Sequence, residues 1–298
     1  MRPFDTTQHQ YLERIDALIT ARMAPHAQQI AREALHSRAV ALPRTSMAQL
    51  AFAAAQAGTF DQTIYHAGAA IELIRAGAAM HRRLFSSNAH ADHRPQSPLH
   101  GPTLMLGDYF FALAATEMAV TPHTHIIADY SDCVMRLAEA FLSPTPLNSP
   151  DLASHVLHHI NMVEGRICTS AIRAGLTCAQ QLVDADFSAK LGHACAQVIA
   201  LHVHVQQSAD PFETLDRGTV MLPVAYAVLA EREAALHAIT QHDSVALTQL
   251  IQRCAGVEQT RATQQQVLAS AQLLIDQLPF ASMRTSLHEL LQTFSIPS

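Results

Sequence analysis

The chain is poor in charge. Of its 298 residues 15% are Asp, Glu, Lys or Arg, against 49% apolar. Such a composition can build a large core, and the low charge density points to extensive burial, including at a subunit interface. Glycine is scarce, at 10 residues, and no alternating apolar–polar run persists, which leaves little room for a strand-built fold. Basic blocks are also missing. The formal charge is −6, with 19 histidines that offset it only below about pH 6.5, so a nucleic-acid partner is not expected. No apolar run reaches the roughly 18 residues of a transmembrane helix, so no integral membrane segment is expected. The opening MRPFDTTQHQ has no charged leader followed by an apolar stretch, and so no signal peptide. Cys133, Cys168, Cys178, Cys195 and Cys254 make no C-x-x-C pair and are odd in number. They read as reduced core thiols of a cytoplasmic protein. There is no internal repeat and no linker, so residues 1–298 read as a single domain.

What remains is helix, rich in alanine, leucine and glutamine. Periodicity predicts one or two helices over 5–38, with Leu12, Ile15, Leu18, Ile19 and Met23 as the apolar stripe and Pro25 as a break. Further helices are predicted at 47–57, stopped by Gly58, and at 61–86, 124–142, 151–183 and 188–207. Two or three more are expected over 231–294, punctuated by Gly256 and Pro279. Residues 39–46, 86–103 and 143–150 read as connections. The centre is 71–86, IELIRAGAAMHRRLFS. At about 100° per residue Ile71, Ile74, Ala78, Arg82, Phe85 and Ser86 share a stripe, which points Arg82 inward, where an unpaired charge is costly. Two outcomes are open. Arg82 and Arg83 sit at a helix C-terminus whose dipole favours them, or Arg82 faces a polar cavity.

These residues carry a resemblance. Glu72-Leu73-Ile74 and His81 resemble the first aspartate-rich helix, E-L-I-H-x-x-S-L-x-H-D-D-x-x-D, of the trans-isoprenyl diphosphate synthases (polyprenyl synthases). Gly101-Pro-Thr-Leu-Met-Leu-Gly107-Asp108-Tyr-Phe-Phe is similar to that family's F-G-x-x-x-A-x-L-x-G-D-x-L-L element, in which Gly107 and Asp108 would shape a helix start and its packing. Leu215 to Pro223, with Tyr226 and Leu229, resembles D-L-x-x-G-K-x-T-L-P-x-x-Y-A-L. The likeness runs in element order over about 10–295. It implies an all-α bundle around a central cavity, a dimer, Mg²⁺ as cofactor, and reaction of isopentenyl diphosphate with an allylic diphosphate.

The residues that would do that chemistry are replaced. The first aspartates fall on Arg82, Arg83 and Ser86, and those of the second aspartate-rich helix on Ala200, Leu201 and His204, while Gln197 is retained. The lysine of the third segment is Thr219, that of K-T-x-x-L-F becomes Arg166, and the G-K-x-x-R-P stretch keeps only Pro43-Arg44. The loop arginine pair is reduced to His93-Arg94. Carboxylates at i, i+1 and i+4 suit shared binding of a hard cation; arginine, alanine and leucine do not. The expectation is therefore a degenerate, non-catalytic homologue with no resident cofactor, a regulatory or isoprenoid-binding subunit paired with itself or with an active synthase. An active prenyltransferase with non-standard residues is the alternative. Ligand-binding candidates, for an isoprenyl diphosphate held by cations rather than metal, are His81, Arg82, Arg83, Ser86, Arg166, Gln197 and His204. His155, His158 and His159, at i, i+3 and i+4, have the spacing of a zinc site, though 19 histidines produce such spacings by chance.

Overall fold

A computed structural model describes residues 3–25, 45–86, 100–143, 145–216 and 218–295. Among them there is helix and no strand. In chain order the helices are α1 (Pro3–Arg22), α2 (Ser46–Ala55), α3 (Thr63–Ser86), α4 (His100–Val120) and α5 (Thr124–Phe141). Then α6 (Leu152–Ile160) runs through a π turn, Asn161–Gly165, into α7 (Arg166–Cys178). There follow α8 (Ala185–Gln206), the short α9 (Phe212–Leu215) and α10 (Leu222–Ala230). The chain closes with α11 (Arg232–Thr240), α12 (Ser244–Arg253), α13 (Gly256–Asp276) and α14 (Ala281–Thr293).

α3 lies in the middle, against α1, α2, α4, α5 and α7, while α8 packs on α7 and α13. Residues 64–80 of α3 are almost continuously buried, as befits a helix with neighbours all round. Close crossings are made where glycine removes the side chain. A Cβ on Gly175 of α7 would sit 2.1 Å from the Ala51 carbonyl oxygen of α2, and one on Gly192 of α8 would sit 2.2 Å from Thr169 Oγ1.

Glu72, the leading residue of the E-L-I match, has a structural task. Thr45, the N-cap of α2, is left-handed (φ 69°) and makes no side-chain cap. Instead the Glu72 carboxylate accepts from the Met47 and Ala48 amides at 2.8 and 2.9 Å, and from Arg75 Nε at 2.6 Å. A buried carboxylate thus satisfies two of the orphan donors that begin every helix.

Several boundaries differ from expectation. α7 ends at Cys178 rather than 183, because Gln180 turns the chain with φ 54°. Residues 231–294 hold four helices rather than two or three: the breaks before Gly256 and near Pro279 fall where expected, and one at His242 (φ 54°) is additional. Gly107 and Asp108 lie in mid-helix, since α4 already begins at His100; Gly107 gives close packing, a Cβ there falling 2.7 Å from the His81 ring. Gly101–Val120 is long and apolar enough to cross a membrane by length and composition, with a mean hydropathy of 1.2, although no such stretch was expected.

Candidate functional site

Arg82 lies four residues before the end of α3 and turns into the bundle. Its Nη2 donates to Glu164 Oε1 at 2.8 Å, with the two side chains only 15% and 7% exposed. The guanidinium carbon sits 5.8 Å from the centroid of the Phe141 ring. The Nε atom is buried with no hydrogen-bond partner among the described residues. The inward stripe of α3 therefore ends in a polar cavity and not in solvent. Burial alone would raise the Glu164 carboxyl, but Arg82 and His159 outweigh it and hold the group below its ordinary range, so Glu164 is ionised.

The cavity is small, with about 20 Å³ of space for water, room for about one molecule. Its polar wall is Arg82, Glu164, His159, His204, Thr214, Thr219 and Gln207; Val156, Ile160, Ala200, Val203 and Val220 complete it. α8 supplies Ala200 and His204, one turn apart on its inner face. The π turn supplies Glu164. A π turn inserts one residue into a helix and re-aims the side chains beside it, here bringing Glu164 onto the buried side with Val163 and Gly165. His204 Nδ1 accepts from the Leu222 amide at 3.2 Å, tying α8 to the start of α10. That bond assigns the proton to Nε2. Burial first, then the Arg82 charge, lowers the imidazole from 6.5 to about 4 against the opposing pull of Glu164. His159 is lowered as well, chiefly by burial and then by Arg82. Both rings are therefore neutral near pH 7.

The other candidates are placed elsewhere. His81 faces α4, stacked on Phe111 with centroids 5.3 Å apart and with Nε2 3.2 Å from Asp108. Gln197 donates to Asn161 Oδ1 at 3.0 Å and braces the π turn. Arg166 is half-buried near Cys133 and His193; its Nε has no hydrogen-bond partner among the described residues. Burial, followed by the Arg166 charge, lowers His193. Arg83 and Ser86 continue the α3 backbone, and their side chains lie outside the described ones. Arg44, His93, Arg94 and Arg217 lie outside the described residues. The three histidines of α6 point apart: His155 Nδ1 lies 3.0 Å from Ser149 Oγ, His158 is exposed and His159 reaches the cavity. Among the described residues no group of three or more His, Cys, Asp or Glu is disposed to hold a metal ion.

Glu164 was missed as a site residue. It is the only acidic residue between Asp151 and Asp184, and α7, the helix that follows it, packs against α3. An inward arginine needs a carboxylate, and this count could have named it.

No protein-family model matches the sequence, and no curated protein matches it by sequence. Solved structures do match in shape. A decaprenyl diphosphate synthase from Rhodobacter capsulatus superposes with a TM-score of 0.74 at 18% identity, over 97% of this chain and 96% of its own. A geranylgeranyl pyrophosphate synthase from Lactobacillus brevis gives 0.77 at 17% identity, over 98% and 97%. A polyprenyl synthase from Caulobacter crescentus, complexed with calcium and isoprenyl diphosphate, gives 0.77 at 20%, over 98% and 97%. The chain has the polyprenyl-synthase fold. Identities this low carry the fold and leave the activity open.

On that fold the cavity acquires a meaning. Positions 82, 200 and 204, which the resemblance aligns with the two aspartate-rich helices, and 219, aligned with a lysine, line one space. The donor set there does not suit Mg²⁺. A hard divalent cation takes several oxygens; the described wall has one carboxylate, already bound to Arg82, and imidazoles in place of the rest.

Proposed function

We propose that the chain is a degenerate homologue of the isoprenyl diphosphate synthases. In this reading it is a cytoplasmic, non-catalytic subunit that regulates an active synthase or binds an isoprenoid, paired with itself or with that synthase. One observation carries it. Where the resemblance puts two facing sets of metal-binding carboxylates, this chain has the Arg82–Glu164 ion pair and two neutral histidines. Departure of diphosphate needs its growing charge met by cations in the transition state. Arg82 is already neutralised by Glu164, and among the described residues lining the cavity there is no other cation to meet that charge. The fold-bearing features are by contrast intact: Glu72 caps α2, and Gly107 lets α3 meet α4.

The test is an assay with Mg²⁺, isopentenyl diphosphate and each of dimethylallyl, geranyl, farnesyl and geranylgeranyl diphosphates, run alone and mixed with an active polyprenyl synthase. The expected result is no product from the protein alone and a changed rate or product length in the mixture. Product from the protein alone overturns the reading and favours a prenyltransferase with unusual site residues.

A further inference from the structure

We propose that the cavity between α3, the π turn and α8 is a binding site for a single water molecule, which takes the place that the resemblance gives to metal ions. The argument begins with size. The cavity has about 20 Å³ of space for water. One water needs roughly 10–15 Å³ by that measure. A small organic ligand needs far more, so an isoprenyl chain has no room there.

Size alone would also admit a small ion or a dry void, and the wall decides between them. Voids that stay dry are lined by apolar groups, whereas this one is lined by a buried donor. His204 is 7% exposed. Its Nδ1 is occupied by the Leu222 amide, so Nε2 carries the proton, and among the described residues nothing accepts it. A buried donor without an acceptor is costly. The same wall holds acceptors. Glu164 is an ionised carboxylate that spends one oxygen on Arg82, and the neutral His159 ring keeps one acceptor nitrogen. The guest must therefore accept from His204 and donate to Glu164 or His159. A cation cannot accept from Nε2–H and has Arg82 beside it. An anion meets the Glu164 charge. Water does both jobs and brings no charge into a buried place. It would join α8 to the π turn and hold His204 in the tautomer that accepts from the Leu222 amide.

A high-resolution crystal structure of the whole protein, grown with bromide as the halide and with Mg²⁺ present, tests this. The expected result is one ordered oxygen within about 3.2 Å of His204 Nε2 and of Glu164 or His159, with no anomalous signal from bromide. An empty cavity, a bromide peak or a hydrated Mg²⁺ overturns the proposal. Nuclear magnetic resonance supplies a solution arm. The His204 Nε2–H resonance, assigned by its loss in His204→Gln, is expected to cross-relax with water, with the sign that marks a long-lived bound molecule. Absence of that signal overturns the proposal as well. The two readings fail separately. Turnover of an allylic diphosphate removes the non-catalytic assignment and leaves the water site standing, whereas a dry cavity without turnover removes only the water.

Discussion

Arg82 and Glu164 hold each other in place less by attraction than by the cost of leaving either alone. Both are largely out of water, at 15% and 7% exposure. Removing one partner of a buried pair costs about 3–5 kcal/mol, while replacing both with apolar residues of similar volume is often neutral. Arg82→Ala is therefore expected to lower the urea midpoint by the equivalent of about 3 kcal/mol, and Arg82→Met with Glu164→Leu to recover most of it. If the double variant is no better than the single one, the pair is not the source of the effect. His204 gives a pH signature. Its folded pKa, about 4, lies below the ordinary 6.5. Above 6.5 both states are neutral and the stability is complete; below it the unfolded chain takes up the proton first, so stability falls until about pH 4. The depression is worth about 3 kcal/mol. Denaturation at steps across that window is expected to show the decline, and His204→Gln to flatten it. That Arg82 faces inward was legible in the stripe Ile71, Ile74, Ala78, Arg82. Its partner was not, because Glu164 reaches the cavity through a π turn that no regular period of 3.6 residues anticipates.

Between helices, the telling contact is the one Glu72 makes. It joins the middle of α3 to the start of α2 through two amides and also holds Arg75, whose Nη1 is buried without a hydrogen-bond partner among the described residues. Glu72→Ala removes the cap and strands a buried guanidinium. The expected loss is about 3 kcal/mol or more, read by chemical denaturation, with helix content otherwise kept. A loss below about 1 kcal/mol would mean that water replaces the carboxylate. Element type was readable along the chain because helix periodicity survives in alanine-rich text. Boundaries were less so. Gln180 and His242 adopt left-handed backbone without being glycine, so the turns they make carry no glycine or proline signal in the sequence, whereas the turn at Ala255 is marked by Gly256. Gly107-Asp108 looked like a helix start, yet α4 runs through it; the glycine is there for the His81 ring, a contact between elements that spacing within one element cannot disclose.

For the whole molecule, the open question is what covers α4 and α5. Only 33% of the apolar window in Gly101–Val120 is buried. Met105 is 66% exposed, and Ile127, Met135 and Leu142, from α5 and its C-cap, are also open. At 100° per residue the last three fall within about 80° of one another. A face of this kind is more apolar than scattered surface residues require. The whole chain carries so few charges that it has little to keep such faces apart. Pairing with a second copy, as proposed above, would cover it. Sedimentation of the wild type is then expected to give twice 32.4 kDa. Met105→Glu combined with Met135→Glu should give the single mass with an unchanged thermal melt, since neither side chain contributes to the core. Glutamates at the centre of an apolar contact are desolvated without partners, which no symmetric interface tolerates well. A wild type that sediments as a monomer, or a variant that stays paired, would remove α4 and α5 as the self-association surface. The first outcome with co-purification of an active synthase would instead direct the same face to a different chain.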